Sequence, residues 1–238
     1  MGLKSTLIII PTYNELENIS ALIEQILGIV PNADVLVVDD NSPDGTADDV
    51  MKLFGADARC SVLRRKGPRG LGRSLVDGYR YALAHEYARL VQMDADFSHD
   101  PKSLPRLINA SASFDVVIGS RYCQGGGTRN WAWHRRLLSR FANRYVSLIT
   151  GMTITDATSG FRCYSRRALE TILANPIDAE GYSIQVEAIY RAQKTGLSIT
   201  ELPIIFVERR EGTSKMSWKV IFESVLTPWR LRFSAAWG

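Results

Sequence analysis

Apolar positions in the first half of the chain fall into two alternating patterns. Thr6–Ile10 and Val35–Val38 are unbroken β-branched and leucine runs, the kind buried on both faces of a parallel sheet. Between them Leu16, Ile19, Leu22, Ile23, Ile26 and Leu27 recur at helical spacing, with Asn14 and Glu15 as start signals. Asn41 to Gly45 (Asn-Ser-Pro-Asp-Gly) is turn chemistry, and a short helix is predicted from Thr46 to about Leu53. Further strands are predicted at Ser61–Leu63, Leu90–Met93 and Val116–Gly119. A helix marked by Leu75, Tyr79, Ala82 and Leu83 and another over Ser103–Ala110 separate them. Strand and helix in regular alternation mean an α/β protein with a mostly parallel sheet flanked by helices, whose ligands sit beyond the carboxyl ends of the strands.

The second half reads differently. His134–Ile149 is a predicted helix with Arg136, Arg140 and Arg144 in one stripe and Leu137, Phe141, Tyr145 and Leu148 in another. Helices are also expected near Arg166–Leu173 and Ile184–Lys194, after a loop at Asp156–Phe161. Ile199–Val207 alternates as a strand, and Pro203 places it at an edge or a bulge. Arg209–Ser217 is a polar loop, with Gly212 flanked by Arg209, Arg210 and Lys215 as a flexible lid. Trp218–Phe233 reads as a terminal helix broken at Pro228.

Composition narrows the class. The 238 residues are 45% apolar and 23% charged, ordinary values for a folded globular chain. The longest uncharged stretch, Tyr145–Thr155, is far shorter than the ~20 residues that cross a bilayer. Cys60, Cys123 and Cys163 are odd in number and widely spaced, which fits neither a disulfide framework nor a metal knuckle, so a reducing, cytoplasmic setting is expected. The net charge of +4 is unevenly placed. Between Asp115 and Asp156 there is no acid but six arginines, and all five tryptophans lie at or beyond position 131. Such a half is expected to meet phosphates.

Acids stand at the strand ends. Asp39 and Asp40 follow the second strand, and Asp94-Ala95-Asp96 follows the fourth. Either pair alone fits a turn former or helix cap. Two such pairs together suggest a hard divalent cation gripping a diphosphate. Tyr13 and Glu15, after the first strand, suit a base or ribose, and on their own fit a strand-to-helix cap equally well. The three histidines offer little general base, and His99, the one near the acids, reads as structural.

Pro11-Thr-Tyr-Asn-Glu15, Val38 through Gly45, Gly70-Leu-Gly72, Asp94 through His99 and Gly119-Ser-Arg-Tyr122 follow the order of inverting family 2 glycosyltransferases. With Ser159-Gly-Phe-Arg162, Gly181 through Glu187 and Pro203 through Lys215, the chain resembles the dolichol- or polyprenyl-phosphate mannosyltransferases of the short form without transmembrane helices. The resemblance runs from Thr6 to about Leu226. It implies one domain of GT-A type over 1–238: a nucleotide-sugar half over about 4–120, then an acceptor half over about 121–238 with amphipathic helices at a membrane interface. It implies metal-dependent transfer of mannose from GDP-mannose to a polyprenyl or dolichyl monophosphate. Pro11, Tyr13, Glu15, Val38 and Asp40 match guanosine-binding positions. Asp94, Ala95 and Asp96 match the sugar-nucleotide and Mg2+ or Mn2+ motif. Ser98 stands where some members have a glutamine ligand, so a water is expected to complete the metal's sphere. Arg121, Arg135, Arg209 and Lys215 match cations near the donor and acceptor phosphates. The expected setting is peripheral, on the cytoplasmic face of a membrane, with a membrane-anchoring partner protein left open.

The chemistry is coherent with these residues. A lipid monophosphate, with a second pKa of ~6, is already a dianion at neutral pH and needs no base to attack an anomeric carbon. Three other readings compete. A UDP-dependent glucosyl or N-acetylhexosaminyl transferase differs only in the donor. A nucleotidyltransferase would want a glycine-rich loop after the first strand, and Pro11–Glu15 has no glycine. A nucleic-acid module leaves the acids unexplained, and no nucleic-acid partner is expected.

Overall fold

The unbroken apolar run after Lys4 needs cover on both faces, and in the computed structural model of the chain it has it. The structure describes residues 4–177, 181, 183–208 and 218–234. Strands β1 (Lys4–Thr12), β2 (Ala33–Asp39), β3 (Cys60–Arg64), β4 (Tyr87–Gln92), β5 (Val116–Ser120), β6 (Gly127–Arg129), β7 (Arg162–Ser165), β8 (Ile199–Pro203) and β9 (Ile205–Val207) form two sheets. The larger has the order β3-β2-β1-β4-β7-β5-β8, and β6 pairs with β9 in the smaller. Helices α1 (Leu16–Ile29), α2 (Thr46–Phe54), α3 (Leu71–Ala84), α4 (Leu104–Ala110), α5 (Trp133–Thr150), α6 (Arg166–Ile172), α7 (Ser183–Lys194) and α8 (Trp218–Phe233) complete the chain.

Period-two geometry divides the core. Ile8 and Ile10 face one side of the sheet with Val35 and Val37, where α1 covers them with Ile19, Leu22, Ile23 and Ile26. Leu7 and Ile9 face the other with Leu36 and Val38, under Leu75 and Tyr79 of α3. Burying each such side chain stabilises the fold by roughly 1.5–3 kcal/mol. The parallel pairing of β1 with β2 and β4 sets their carboxyl ends side by side.

The sheet is mostly parallel, as expected, with one exception: β7 runs antiparallel to both β4 and β5, in residues 162–165, where no element was predicted. Two expectations change. Ile199–Val207 is two strands. As Pro203 required, β8 is an edge strand, and Ile204 then bridges the sheets, donating to the Ser120 carbonyl (3.0 Å) and accepting from Gly127 N (2.9 Å). And α8 continues through Pro228. The Tyr145 hydroxyl donates to the Val225 carbonyl and accepts from Trp229 Nε1, both at 2.9 Å, pinning the helix to α5 on either side of the proline. Among the described residues no helix is long and apolar enough to cross a membrane.

Candidate active site

The ends of β1, β2 and β4 each turn through a residue in the left-handed region: Asn14 (φ 58°), Asn41 (φ 59°) and Phe97 (φ 57°). Such backbone is uncommon for non-glycine residues, above all for a bulky Phe, and it gathers at functional sites.

At the first two ends polar side chains stitch the loops together. Asp39 accepts from Thr12 Oγ1 (3.0 Å), Ser42 Oγ (2.5 Å) and Ser42 N (2.9 Å). Asp44 takes Thr46 N (3.0 Å), Thr46 Oγ1 (2.6 Å) and Leu16 N (3.2 Å), tying the starts of α1 and α2. Partial burial would raise the Asp44 pKa, but the bonds from Thr46 and Leu16 outweigh it and hold the carboxyl below its usual value. Asp40 is buried; it pairs with Arg65 and accepts from Gly70 N (2.7 Å). Both its oxygens therefore hold the loop from Arg65 to Gly70. Tyr13 and Glu15, both partly exposed, follow β1 beside these loops, with Glu15 N donating to Thr46 Oγ1 (3.1 Å), and Pro11 is half-buried. Val38 is different from expectation: its side chain is wholly buried in the core against α3, so it can offer a nucleotide only its backbone.

At the end of β4, Asp94 and Asp96 are partly exposed and Ala95 is buried between them. Ser98 N donates to Asp96 Oδ1 (3.1 Å), and Asp94 N donates to His99 Nδ1 (3.2 Å). His99 is fully buried, and desolvation pushes its pKa down to about 4 against the pull of Asp96. Its Nδ1 is thus an acceptor on a neutral ring, a support for the acid loop, as the sequence suggested.

The oxygen donors suit a hard cation. A Cβ at Gly160 would lie 3.4 Å from both Asp94 carboxylate oxygens, so the absence of a side chain keeps that flank open. The Ser98 hydroxyl is buried and has no hydrogen-bond partner among the described residues. Two carboxylates and a hydroxyl do not fill six positions, and no cluster of three His, Cys, Asp or Glu residues exists among the described residues. That donor set fits Mg2+ or Mn2+, which commonly keep waters and take substrate phosphates as remaining ligands.

A chain of rings leads from the acids to the arginines. His99 stacks on Phe161 (5.0 Å between centroids) and meets Phe206 edge-on (5.3 Å), which in turn meets Trp131 edge-on (5.3 Å). Arg121 lies over Trp131 and Phe206 (5.6 Å each), and Arg135 over Trp131 (4.5 Å). Arg121 is buried and committed to Asp156, through Nε (2.7 Å), Nη2 (2.6 Å) and its backbone N (2.9 Å). Burial would lower its pKa, but the paired carboxylate raises it. Arg121 is thus a fixed, largely neutralised cation. Arg135, half-exposed in the first turn of α5, pairs with Glu208 (2.6 Å). Arg209 and Lys215, with the loop they belong to, lie outside the described residues. Sequence reasoning missed Asp156, although it is the first acid after the long basic segment, and Arg69, whose guanidinium covers Tyr13.

The face of α5 turned inward is Asn143, Val146 and Thr150, with Asn143 Nδ2 donating to Thr158 Oγ1 (3.0 Å). Trp133, Leu137, Leu138, Phe141 and Leu148 are all more than 60% exposed, beside exposed Arg136, Arg140 and Arg144. Val225, Leu226, Trp229 and Phe233 of α8 extend this apolar surface across the Tyr145 link.

Comparison with known proteins agrees with this architecture. The family model described as glycosyl transferase family 2 matches residues 7–173. A polyprenol monophosphomannose synthase of Mycolicibacterium smegmatis is 43% identical over 231 residues, 95% of this chain and 87% of that protein. An undecaprenyl-phosphate mannosyltransferase of Micrococcus luteus is 42% identical over 231 residues, 97% and 95% of the two chains. In fold, the chain is similar to glucosyl-3-phosphoglycerate synthase of Mycobacterium tuberculosis crystallised with Mn2+, uridine diphosphate and phosphoglyceric acid (TM-score 0.70, 20% identity, 94% of this chain and 78% of that one).

Proposed function

The chain belongs to glycosyl transferase family 2 and is a glycosyltransferase with a GT-A-like α/β fold; from that premise we propose that it transfers mannose from GDP-mannose to a polyprenyl monophosphate with inversion. One observation carries this reading: the Asp94–Asp96 pair is linked by a continuous run of aromatic rings to Arg121 and Arg135. Carboxylates that would hold a divalent cation at the leaving diphosphate thus stand near Arg135, which can meet an incoming phosphate, and near Arg121, which Asp156 holds in place.

Asp94 and Asp96, with Ser98 beside them, would hold Mg2+ or Mn2+, which when bound neutralises charge on the leaving diphosphate. His99 and Gly160 keep the acid loop shaped and open. Asp40 holds the Arg65–Gly70 loop beneath the nucleoside, while Tyr13 and Glu15 face it. Asp156 fixes Arg121, so the surroundings of the reacting phosphate need no reorganisation during the step. Arg135 can exchange Glu208 for the acceptor phosphate, a charge-assisted pairing of the same kind. The lipid phosphate attacks the anomeric carbon, the bond to the diphosphate breaks, and no proton has to be removed.

The two 42–43% identical relatives are named for polyprenol and undecaprenyl-phosphate chemistry, which supports a lipid acceptor. The exposed apolar face of α5 and α8, rimmed by Arg136, Arg140 and Arg144, supports peripheral seating on an anionic membrane surface; the cytoplasmic face is part of the proposal. Purified protein incubated with radiolabelled GDP-mannose, UDP-glucose or UDP-N-acetylglucosamine, Mn2+ and polyprenyl phosphate vesicles should label the lipid extract from GDP-mannose alone. Label from a UDP-sugar only would replace the donor, and no lipid label from any donor would remove the proposal.

A further inference from the structure

Arg69 lies outside the residues given a role so far, yet it is exposed and lies against Tyr13 at the end of β1. Its guanidinium carbon is 4.8 Å from the centroid of the Tyr13 ring, and its Nη1 donates to the Tyr13 hydroxyl. Among the described residues no carboxylate pairs with it. The backbone directs it there: Asp40 anchors Gly70 N at 2.7 Å and holds Arg65, so the loop between them is fixed at both ends.

With Nη1 on the hydroxyl, the guanidinium sits toward the hydroxyl end of the Tyr13 ring, so a planar base stacked on Tyr13 meets Arg69 at its edge. Sheet order locates the side from which it does so. Arg69 follows β3 and leans over the end of β1, whereas Asp94 and Asp96 follow β4, three strands from β3 in the order β3-β2-β1-β4. Arg69 thus reaches Tyr13 from the β3 side of the sheet, the side away from the acids that follow β4. A base stacked on Tyr13 is the part of the nucleotide it would meet from there.

We infer that Arg69 is a specificity-determining residue, resting on Tyr13 in the free protein and presenting its fork to the O6 and N7 edge of guanine when the donor enters. This rests on the guanosine-diphosphate reading above. Arginine matches those two acceptors bidentately. Uracil has O4 on the corresponding edge but no N7 beside it to complete a bidentate pair, so it gains little from the same side chain.

Calorimetric titration of wild type, Arg69→Ala and Arg69→Lys with GDP and with UDP, all with Mn2+, tests this without turnover. Arg69 is exposed, so its removal leaves the core untouched. The wild type should bind GDP more tightly than UDP. Arg69→Ala should weaken GDP by about ten- to a hundredfold and leave UDP within about twofold, the range expected for one bidentate base contact. Arg69→Lys, a point charge without the fork, should recover only part of the loss. Equal losses for both nucleotides would make Arg69 a general phosphate attractor and overturn the inference, as would unchanged GDP binding. A wild type without preference for GDP would instead overturn the guanosine reading, and the inference with it.

Discussion

Helices α1 and α5 have similar amphipathic patterns and opposite fates. In α1 the apolar stripe, Ile19, Leu22, Ile23 and Ile26, is fully buried on the sheet. In α5 the stripe of Leu137, Phe141 and Leu148 faces outward, and the helix turns Asn143 and Thr150 to the protein. An exposed apolar surface of this kind, continued by Trp229 and Phe233 of α8, marks a site of contact with something else. One helix builds the protein and the other presents it. Periodicity states which stripe is apolar; only the tertiary structure states what covers it.

The largest effect is expected between the two regions, at the acids. Asp96→Ala should lower transfer by about a thousandfold or more, since a carboxylate that anchors charge in the transition state is lost. Thermal unfolding should be little changed, because Asp96 is partly exposed. Near-normal activity at saturating Mn2+ would separate the acids from the chemistry.

Next comes the contrast between the helices themselves. Ile23→Ala on α1 should cost about 2–5 kcal/mol in urea unfolding, the range for a large-to-small change in a packed core. Phe141→Ser on α5 should stay within about 0.5 kcal/mol, as surface substitutions do, while weakening sedimentation with anionic vesicles. A destabilisation by Phe141→Ser as large as that of Ile23→Ala would erase the distinction.

The smallest effect is expected at the opposite end of the sheet, where a carboxylate serves stability alone. Asp115, before β5, accepts from Ser198 N (3.0 Å), Ser198 Oγ (2.9 Å) and Ser165 Oγ (3.2 Å). Partial burial would raise its pKa, but the Ser198 and Ser165 bonds prevail and lower it below 3.8. A carboxyl depressed in the folded state contributes stability above its unfolded pKa, and that contribution is lost as the pH falls through the folded value. The stability gap between wild type and Asp115→Asn should therefore be full at neutral pH and close below pH ~4. A gap independent of pH would assign it to the neutral hydrogen bonds.

Much of this was legible in the residues themselves. The runs at Thr6–Ile10 and Val35–Val38 marked central strands because only a doubly covered strand is apolar on both faces. The acids after β2 and β4 pointed to a candidate site because a parallel sheet aligns its carboxyl ends. Strand β7 escaped notice for a physical reason. It is four residues long and opens with Arg162, a charged residue that is fully buried because Gln185 and Ala157 carbonyls take its guanidinium at 2.7 and 2.6 Å. No local pattern encodes the partner on α7, twenty-three positions away. The same holds for Arg121, whose charge looks free in sequence and is neutralised by Asp156, thirty-five positions away. Val38 was placed at the nucleotide by motif, while alternation along β2 turns its side chain into the core.

The central claim is that α5 holds the enzyme at the lipid while the strand ends perform the transfer. It is tested most directly by replacing Arg136, Arg140 and Arg144 together with glutamine and assaying transfer of labelled mannose to two acceptors. Each arginine near an anionic surface contributes roughly 1 kcal/mol, screened by salt. The triple variant should lose at least about tenfold in kcat/KM with a long-chain polyprenyl phosphate in vesicles at low salt. With a short, water-soluble polyprenyl phosphate it should stay within about twofold of wild type, because the acids, Arg121 and Arg135 are untouched. Equal losses with both acceptors, or no loss with either, would contradict the account.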